Sequence, residues 1–217
     1  MKRRTITLIL LSFFFLLAAG FFAFYNKEYK EQPKHLPVLG QPGHRVDTFT
    51  FIDQQGKAIT REDLAGKIYV VEYFFTTCES ICPKMNENMA KVYAAFRGND
   101  RVKIMSHTVD PEVDSPEVLK EYSLKFDADP NQWHFVTGDK QRLYEMAVNS
   151  YLLALAEDST NPKVMPDFIH TPNFVLVDDK GYLRGRGSYD GTNPTEVAQL
   201  IGDMKELLKE EVADSKF

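Results

Sequence analysis

The sequence predicts an α/β fold, and three observations carry that prediction. Apolar, β-branched runs of strand length alternate with amphipathic helical stretches from residue 67 to residue 151. A strand–turn–strand pattern and one long helix then close the chain, and no internal repeat or glycine-rich phosphate loop interrupts the order. Of the 217 residues, 43% are hydrophobic and 26% charged, which suits a single globular domain with a real core.

The elements follow in order. Lys2, Arg3 and Arg4 precede "TITLILLSFFFLLAAGFFAFYN", a run from Thr5 to Asn26 without a charged residue. About 20 apolar helical residues span a bilayer core, whereas the apolar core of a cleaved signal is about 7–15 residues long. Residues 1–26 are therefore expected to form one transmembrane helix that is kept as an anchor. The "LAAG" stretch keeps a cleaved signal sequence as the alternative. Basic residues before the helix leave the N-terminus in the cytoplasm. The remainder then lies on the periplasmic, extracytoplasmic side of a plasma membrane. Setting those three residues aside leaves 23 Lys and Arg against 31 Asp and Glu. So acidic a body argues against nucleic acid as a partner.

Residues 27–43 carry three prolines and little periodicity, as a tether would, and 44–217 are read as the folded domain. "TFTFID" and "KAIT" flank Gln54, Gln55 and Gly56 and predict an N-terminal hairpin. "KIYVVEYFF" (67–75) has the composition of a buried central strand. Met85, Met89, Val92 and Phe96 recur at helical spacing, predicting a helix over 83–96 with both methionines in its core face. "RVKIMSHTV" (101–109) is the next strand. Ser115-Pro116-Glu117 opens a helix: a capping hydroxyl, proline at the first position and an acid in the first turn. Asp110, Glu112 and Asp114 are read as part of that helix start rather than as a hard-cation loop. "WHFVTG" is a short strand and 139–151 a helix, and "PNFVLVDDKGYLRGRG" is a strand, a turn and a strand. Asn193-Pro194-Thr195-Glu196 begins the last helix, whose Glu206–Glu211 end is expected to be exposed. The order is that of a thioredoxin-like fold with an N-terminal hairpin extension.

Both cysteines lie in "FFTTCESICPKMNENM" (74–89). Two thiols are too few for a four-thiolate zinc site, and their spacing is one residue longer than C-x-x-C. A structural disulfide is one reading, but a bridge across three residues restrains the unfolded chain little. Cys82 directly precedes Pro83, a residue favoured at the first helical position. Cys82 is thus the expected N-cap, where backbone N–H groups and the helix dipole favour a thiolate. Cys78 would lie in the loop leaving the carboxyl end of the central strand, where open α/β sheets bind ligands. Two thiolates there suit a soft metal or dithiol exchange.

A third ligand would favour the metal, and the chain has five histidines. His35 and His44, in or near the tether, are read as solvated, and His134, beside Trp133, as packing. His107 shares the sheet edge of Cys78 and is a secondary candidate. His170, in "MPDFIHTPNFVLVD", starts a strand with Pro172 two residues later. In this topology the loop before that strand passes over the cysteine loop and carries His170 toward Cys78 and Cys82.

At these residues the sequence resembles the Sco/SenC family of membrane-anchored copper proteins. The resemblance covers about residues 44–210. It rests on "TTCESICPKM", on "VDPEVDSPEVLKEY", and on His170, 88 residues after Cys82, followed by a strand and "DDKG". It implies one copper ion, as Cu(I) or Cu(II), held by Cys78, Cys82 and His170. It also implies a role as metallochaperone in assembling the CuA centre of cytochrome c oxidase, by delivering copper or by reducing the cysteines of its subunit. A copper donor protein and the copper-bearing oxidase subunit would be the partners. This chain has Thr77 where many members have histidine, and Ile169 where many have aspartate, with Asp167 the nearest acid before His170. The alternative is an enzyme, a thiol–disulfide oxidoreductase acting on an exported partner through Cys78 and Cys82 alone. Peroxiredoxin chemistry is disfavoured, because Val71 and Phe75 occupy the positions of that family's proline and threonine.

Overall fold

The computed structural model of the chain describes residues 11–22, 24, 35–153 and 171–214. Two compact units divide it, Met1–Lys34 and His35–Phe217. In the first, residues 11–22 are helical. No described helix is long and apolar enough to cross a membrane, and the expected anchor run lies partly outside the described residues.

The second unit is a mixed α/β fold around a seven-stranded sheet. Its strands are β1 (Thr50–Asp53), β2 (Ala58–Thr60), β3 (Ile68–Phe74), β4 (Val102–Thr108), β5 (Trp133–Thr137), β6 (Asn173–Val177) and β7 (Leu183–Asp190). They lie in the order β2-β1-β5-β4-β3-β6-β7. β3, β4 and β5 are parallel, while β6 pairs antiparallel with β3 and β7 with β6. The hairpin β1–β2 extends the β5 edge antiparallel. This layout is consistent with the thioredoxin-like fold expected.

The helices are α1 (Cys82–Phe96), α2 (Pro116–Leu124), α3 (Lys140–Glu145) and α4 (Pro194–Asp214), and α3 continues into a π turn over Met146–Ser150. α2 is capped as its sequence predicts, Ser115 accepting from the Val118 N–H, and Asp139 caps α3 by accepting from the Arg142 N–H. The sheet separates two cores. On one face β3 turns Ile68, Val70 and Phe74 toward α1, α2 and α4, with Met85 and Met89 fully buried among them. On the other, Tyr69, Val71 and Tyr73 meet α3 and the segment around Phe49 and Phe51. All seven β3 residues are buried, as a central parallel strand covered on both faces requires.

Residues 35–39, within the stretch read as a tether, run along β7. Val38 bridges Arg184, and Leu39 N–H donates to Leu183 O. The expectation of an exposed end on the last helix is corrected at Glu210. Its side chain is 4% exposed and pairs with the Arg184 guanidinium at 2.6 Å, while Asp178 meets the same guanidinium at 2.9 Å. Glu210 also accepts from Leu36 N–H at 2.8 Å. A buried acid here has an arginine and an amide to satisfy it, so the helix end faces inward at this position.

Candidate metal centre

The sheet sets the site. β3 ends at Phe74 and β4 at Thr108, in parallel register, and Val109 N–H donates to Phe74 O across the two ends. The chain leaves β3 through residues 75–81 and enters α1 at Cys82. Cys78 sits in this loop, its N–H donating to Phe75 O at 3.3 Å. Cys82 is the first residue of α1, and Pro83 falls in the first turn as predicted. Both cysteines are free and buried.

The thiols are unequal. Burial by itself raises Cys78, but the thiol of Cys82, the hydroxyl of Ser80 and the backbone N–H groups of both residues outweigh it and hold Cys78 below the usual thiol value. Ser80 Oγ lies 3.6 Å from Cys78 Sγ. Cys82 moves the other way: burial first, then the hydrogen bond with Cys78, push it up to about 12. The expected N-cap is therefore corrected. Ile81, not Cys82, is the N-cap residue, and it offers no side-chain cap. One place further in, the Cys82 side chain turns into the core with Phe74, Met85 and Phe174 instead of across the free N–H groups. Desolvation then outweighs the helix end. The two thiols are thus opposed: Cys78 is the readier to ionise, and Cys82 the one that keeps its proton.

Two features around the pair escaped the sequence reading. Glu72, on the β3 face turned toward α1, has no exposed surface. Its Oε1 accepts from the Ser106 hydroxyl at 2.6 Å, the Trp133 indole N–H in turn donates to Ser106 at 2.8 Å, and Oε2 has no protein partner. Burial pushes its pKa up to about 7, against a hydrogen bond that lowers it. An acid in the middle of the apolar run 68–75 was the signal. The second is Asp114, also without exposed surface, which binds Thr76 and Thr108 rather than serving only as an acid before α2.

His107 is not brought to the site. By strand alternation it faces the opposite core, stacked on the Tyr73 ring at 4.9 Å and edge-on to Phe51 and Tyr151. Burial lowers its pKa to about 3. His134 lies on that same face, 3.8 Å from an Asp53 oxygen, packed as expected. His35 stands 3.3 Å from Glu210, and His44 hydrogen-bonds Ser150 O at 2.9 Å rather than being merely solvated. His170, with Asp167 and Ile169, lies outside the described residues. Its chain successor, Thr171, is 3% exposed, and Pro172 O accepts from Gly191 N–H at 2.7 Å. Gly191 O in turn accepts from Asn88 of α1 at 2.7 Å.

Two free sulfurs four positions apart form a soft donor pair, matched to Cu(I) better than to hard cations. Among the described residues no group of three or more His, Cys, Asp and Glu could hold a metal. A third donor would have to come from beyond them.

Comparison with known proteins shows the family. The sequence profile of the SCO1/SenC family matches residues 39–208. A SCO1 protein homolog of Bacillus subtilis is 32% identical over 164 residues, covering 75% of this chain and 82% of that protein. Among solved structures, BsSco superposes with a TM-score of 0.65 at 28% identity, over 80% of this chain and 98% of that one. It is described as a member of the Sco family of cytochrome c oxidase assembly proteins with a disulfide switch. ScoI of Bradyrhizobium japonicum, solved with copper bound, gives a TM-score of 0.56 at 26% identity, over 73% and 98%. With the profile spanning most of its length and both thiols at the mouth of the central strand, the chain belongs to the SCO1/SenC family.

Proposed function

We propose that this protein is a copper metallochaperone that serves assembly of the CuA centre of cytochrome c oxidase. Residues 1–26 would anchor it, 27–34 tether it, and the folded unit from His35 onward carry the site on the extracytoplasmic side of a plasma membrane. Cys78, Cys82 and His170 are the proposed ligands, with copper as cargo passed from a donor protein to the copper-bearing oxidase subunit. The observation that carries this reading is the pair of free, buried thiols four positions apart where β3 gives way to α1. The copper held by Bradyrhizobium ScoI and the oxidase-assembly role of BsSco support it.

In this reading Cys78 supplies the readier thiolate, and copper binding displaces the proton of Cys82. An imidazole would complete a three-donor set able to hold Cu(I) and to accept Cu(II). Cys78, on the loop over residues 75–81, is the more exposed of the two at 9% against 4% for Cys82, which α1 fixes in the core.

A second reading is favoured by the inequality of the two thiols, and the disulfide switch of BsSco supports it. In it, the Cys78 thiolate attacks a partner's disulfide and one partner sulfur leaves. Cys82 loses its proton and attacks Cys78, releasing the partner as a dithiol, and two electrons pass from this chain to the partner. His170→Ala separates the two. Loss of copper with reductase activity retained supports the second reading, whereas full copper affinity in this variant removes His170 from the proposed ligands.

A further inference from the structure

Asp114 joins the two strand ends that frame the cysteine loop. Thr76, two residues before Cys78, donates its N–H to Asp114 Oδ2 at 3.2 Å and its hydroxyl to Oδ1. Thr108, the last residue of β4, donates its hydroxyl to Oδ2 and accepts the Asp110 N–H at 3.0 Å. The turn that carries Asp114 is closed on itself, the N–H groups of Val113 and Asp114 donating to Asp110 O at 3.1 and 2.9 Å. Ser115 then caps α2. Asp114 and Thr108 have no exposed surface, so their bonds form away from water, where each is worth more.

The two sulfurs are held by different means. Cys82 is fixed by α1, whose inner face is packed against the sheet. Cys78 hangs on a loop of irregular backbone, and its own N–H makes a 3.3 Å bond within that loop. Beside the Val109 N–H to Phe74 O bond between the strand ends, the two bonds from Thr76 to Asp114 tie the start of this loop to the β4 side of the sheet. We infer that Asp114 is a positioning residue that sets Cys78 against Cys82 by clamping Thr76 to Thr108. It thereby tunes both the dithiol–disulfide balance and the grip on copper, and the copper half of this inference rests on the function proposed above.

The bond pattern supplies its own control. An asparagine at 114 keeps an oxygen for the Thr76 N–H and offers an amide N–H to a hydroxyl turned to accept, so it can preserve the clamp without charge. An alanine cannot. Thr76→Val removes only the hydroxyl arm and keeps the backbone one.

The test uses the purified full-length chain as wild type, Asp114→Ala, Asp114→Asn and Thr76→Val. Three quantities are read on each: the equilibrium between dithiol and disulfide in glutathione buffers, the affinity and sulfur-to-copper absorption band after Cu(II) addition, and the urea unfolding midpoint. Asp114→Ala should shift the dithiol–disulfide equilibrium and weaken copper by about tenfold each, with a displaced band. Asp114→Asn should stay within about threefold of wild type, and Thr76→Val should fall between. A folded Asp114→Ala with the wild-type equilibrium and band, or an Asp114→Asn as impaired as alanine, overturns the inference. If Asp114→Ala does not fold, Thr76→Val decides: a shift in equilibrium supports the clamp, and wild-type values remove it. Should even the wild type take up no copper, the copper reading fails by itself. The thiol equilibrium still judges Asp114.

Discussion

Replacing Glu72 by glutamine should change how stability depends on pH more than it changes stability itself. Glu72 is fully buried, with the Ser106 hydroxyl on one oxygen and no protein partner on the other, and its pKa stands at about 7 against an ordinary 4.5. The folded protein therefore holds a proton that the unfolded chain releases. For an acid raised in this way the contribution is fully present below pH 4.5 and is lost as pH rises through about 7. At about 1.4 kcal/mol per pH unit, the loss between those limits is about 3 kcal/mol. Glutamine keeps an acceptor for Ser106 but has no proton to lose. It adds amide hydrogens where Oε2 had no protein partner, a cost of about 1–3 kcal/mol that is the same at every pH. The assay is urea unfolding of wild type and Glu72→Gln, kept reduced, between pH 5 and pH 8. The difference between the two proteins should drift by about 2–3 kcal/mol in favour of glutamine across that range. Titrations common to both, including that of His107, cancel in the difference. Parallel stability curves would refute the reasoning, because they would mean that Glu72 ionises in the folded protein as readily as in the unfolded chain.

Other perturbations read other parts of the fold. His107 is held at about 3 against 6.5, so its contribution is present above pH 6.5 and is lost as pH falls toward 3, by up to about 5 kcal/mol. His107→Phe, which suits the aromatic cage of Tyr73, Phe51 and Tyr151, should move acid unfolding to lower pH, and an unchanged acid midpoint would contradict this. Gly191→Ala would place a Cβ 2.5 Å from two Phe174 ring carbons and 2.9 Å from Pro172 O. Since that ring is buried, the strain should cost about 1–3 kcal/mol in denaturant unfolding, and a neutral result would mean that the ring can yield.

How much of this was legible in the sequence depends on how local each cause is. β3 and the Ser115 cap of α2 follow from runs and end signals a few residues long, and both appear where the sequence places them. The spacing of Cys78 and Cys82, with Pro83 behind them, was enough to locate the loop and the helix start. It did not give the chemistry of the thiols. The helix begins one residue earlier than predicted, and that single step moves Cys82 from a capping position into the core and reverses its expected ionisation. Glu210 was misread because Arg184 and Leu36, which bury it, are distant in sequence and meet it only through β7. Glu72 and Asp114 belong to the same class. Each is an acid whose partners, Ser106 for one and Thr76 and Thr108 for the other, come from neighbouring strands or loops. Periodicity marks such residues as exceptions without saying what satisfies them.

The most direct measurement of the central claim is a copper titration of the reduced full-length chain, counting metal per chain while recording the absorption of bound Cu(II). The account predicts one copper per chain and a sulfur-to-copper charge-transfer band that disappears in Cys78→Ser and in Cys82→Ser. Tight copper without that band, or a band that survives loss of either cysteine, would place the metal elsewhere and contradict it.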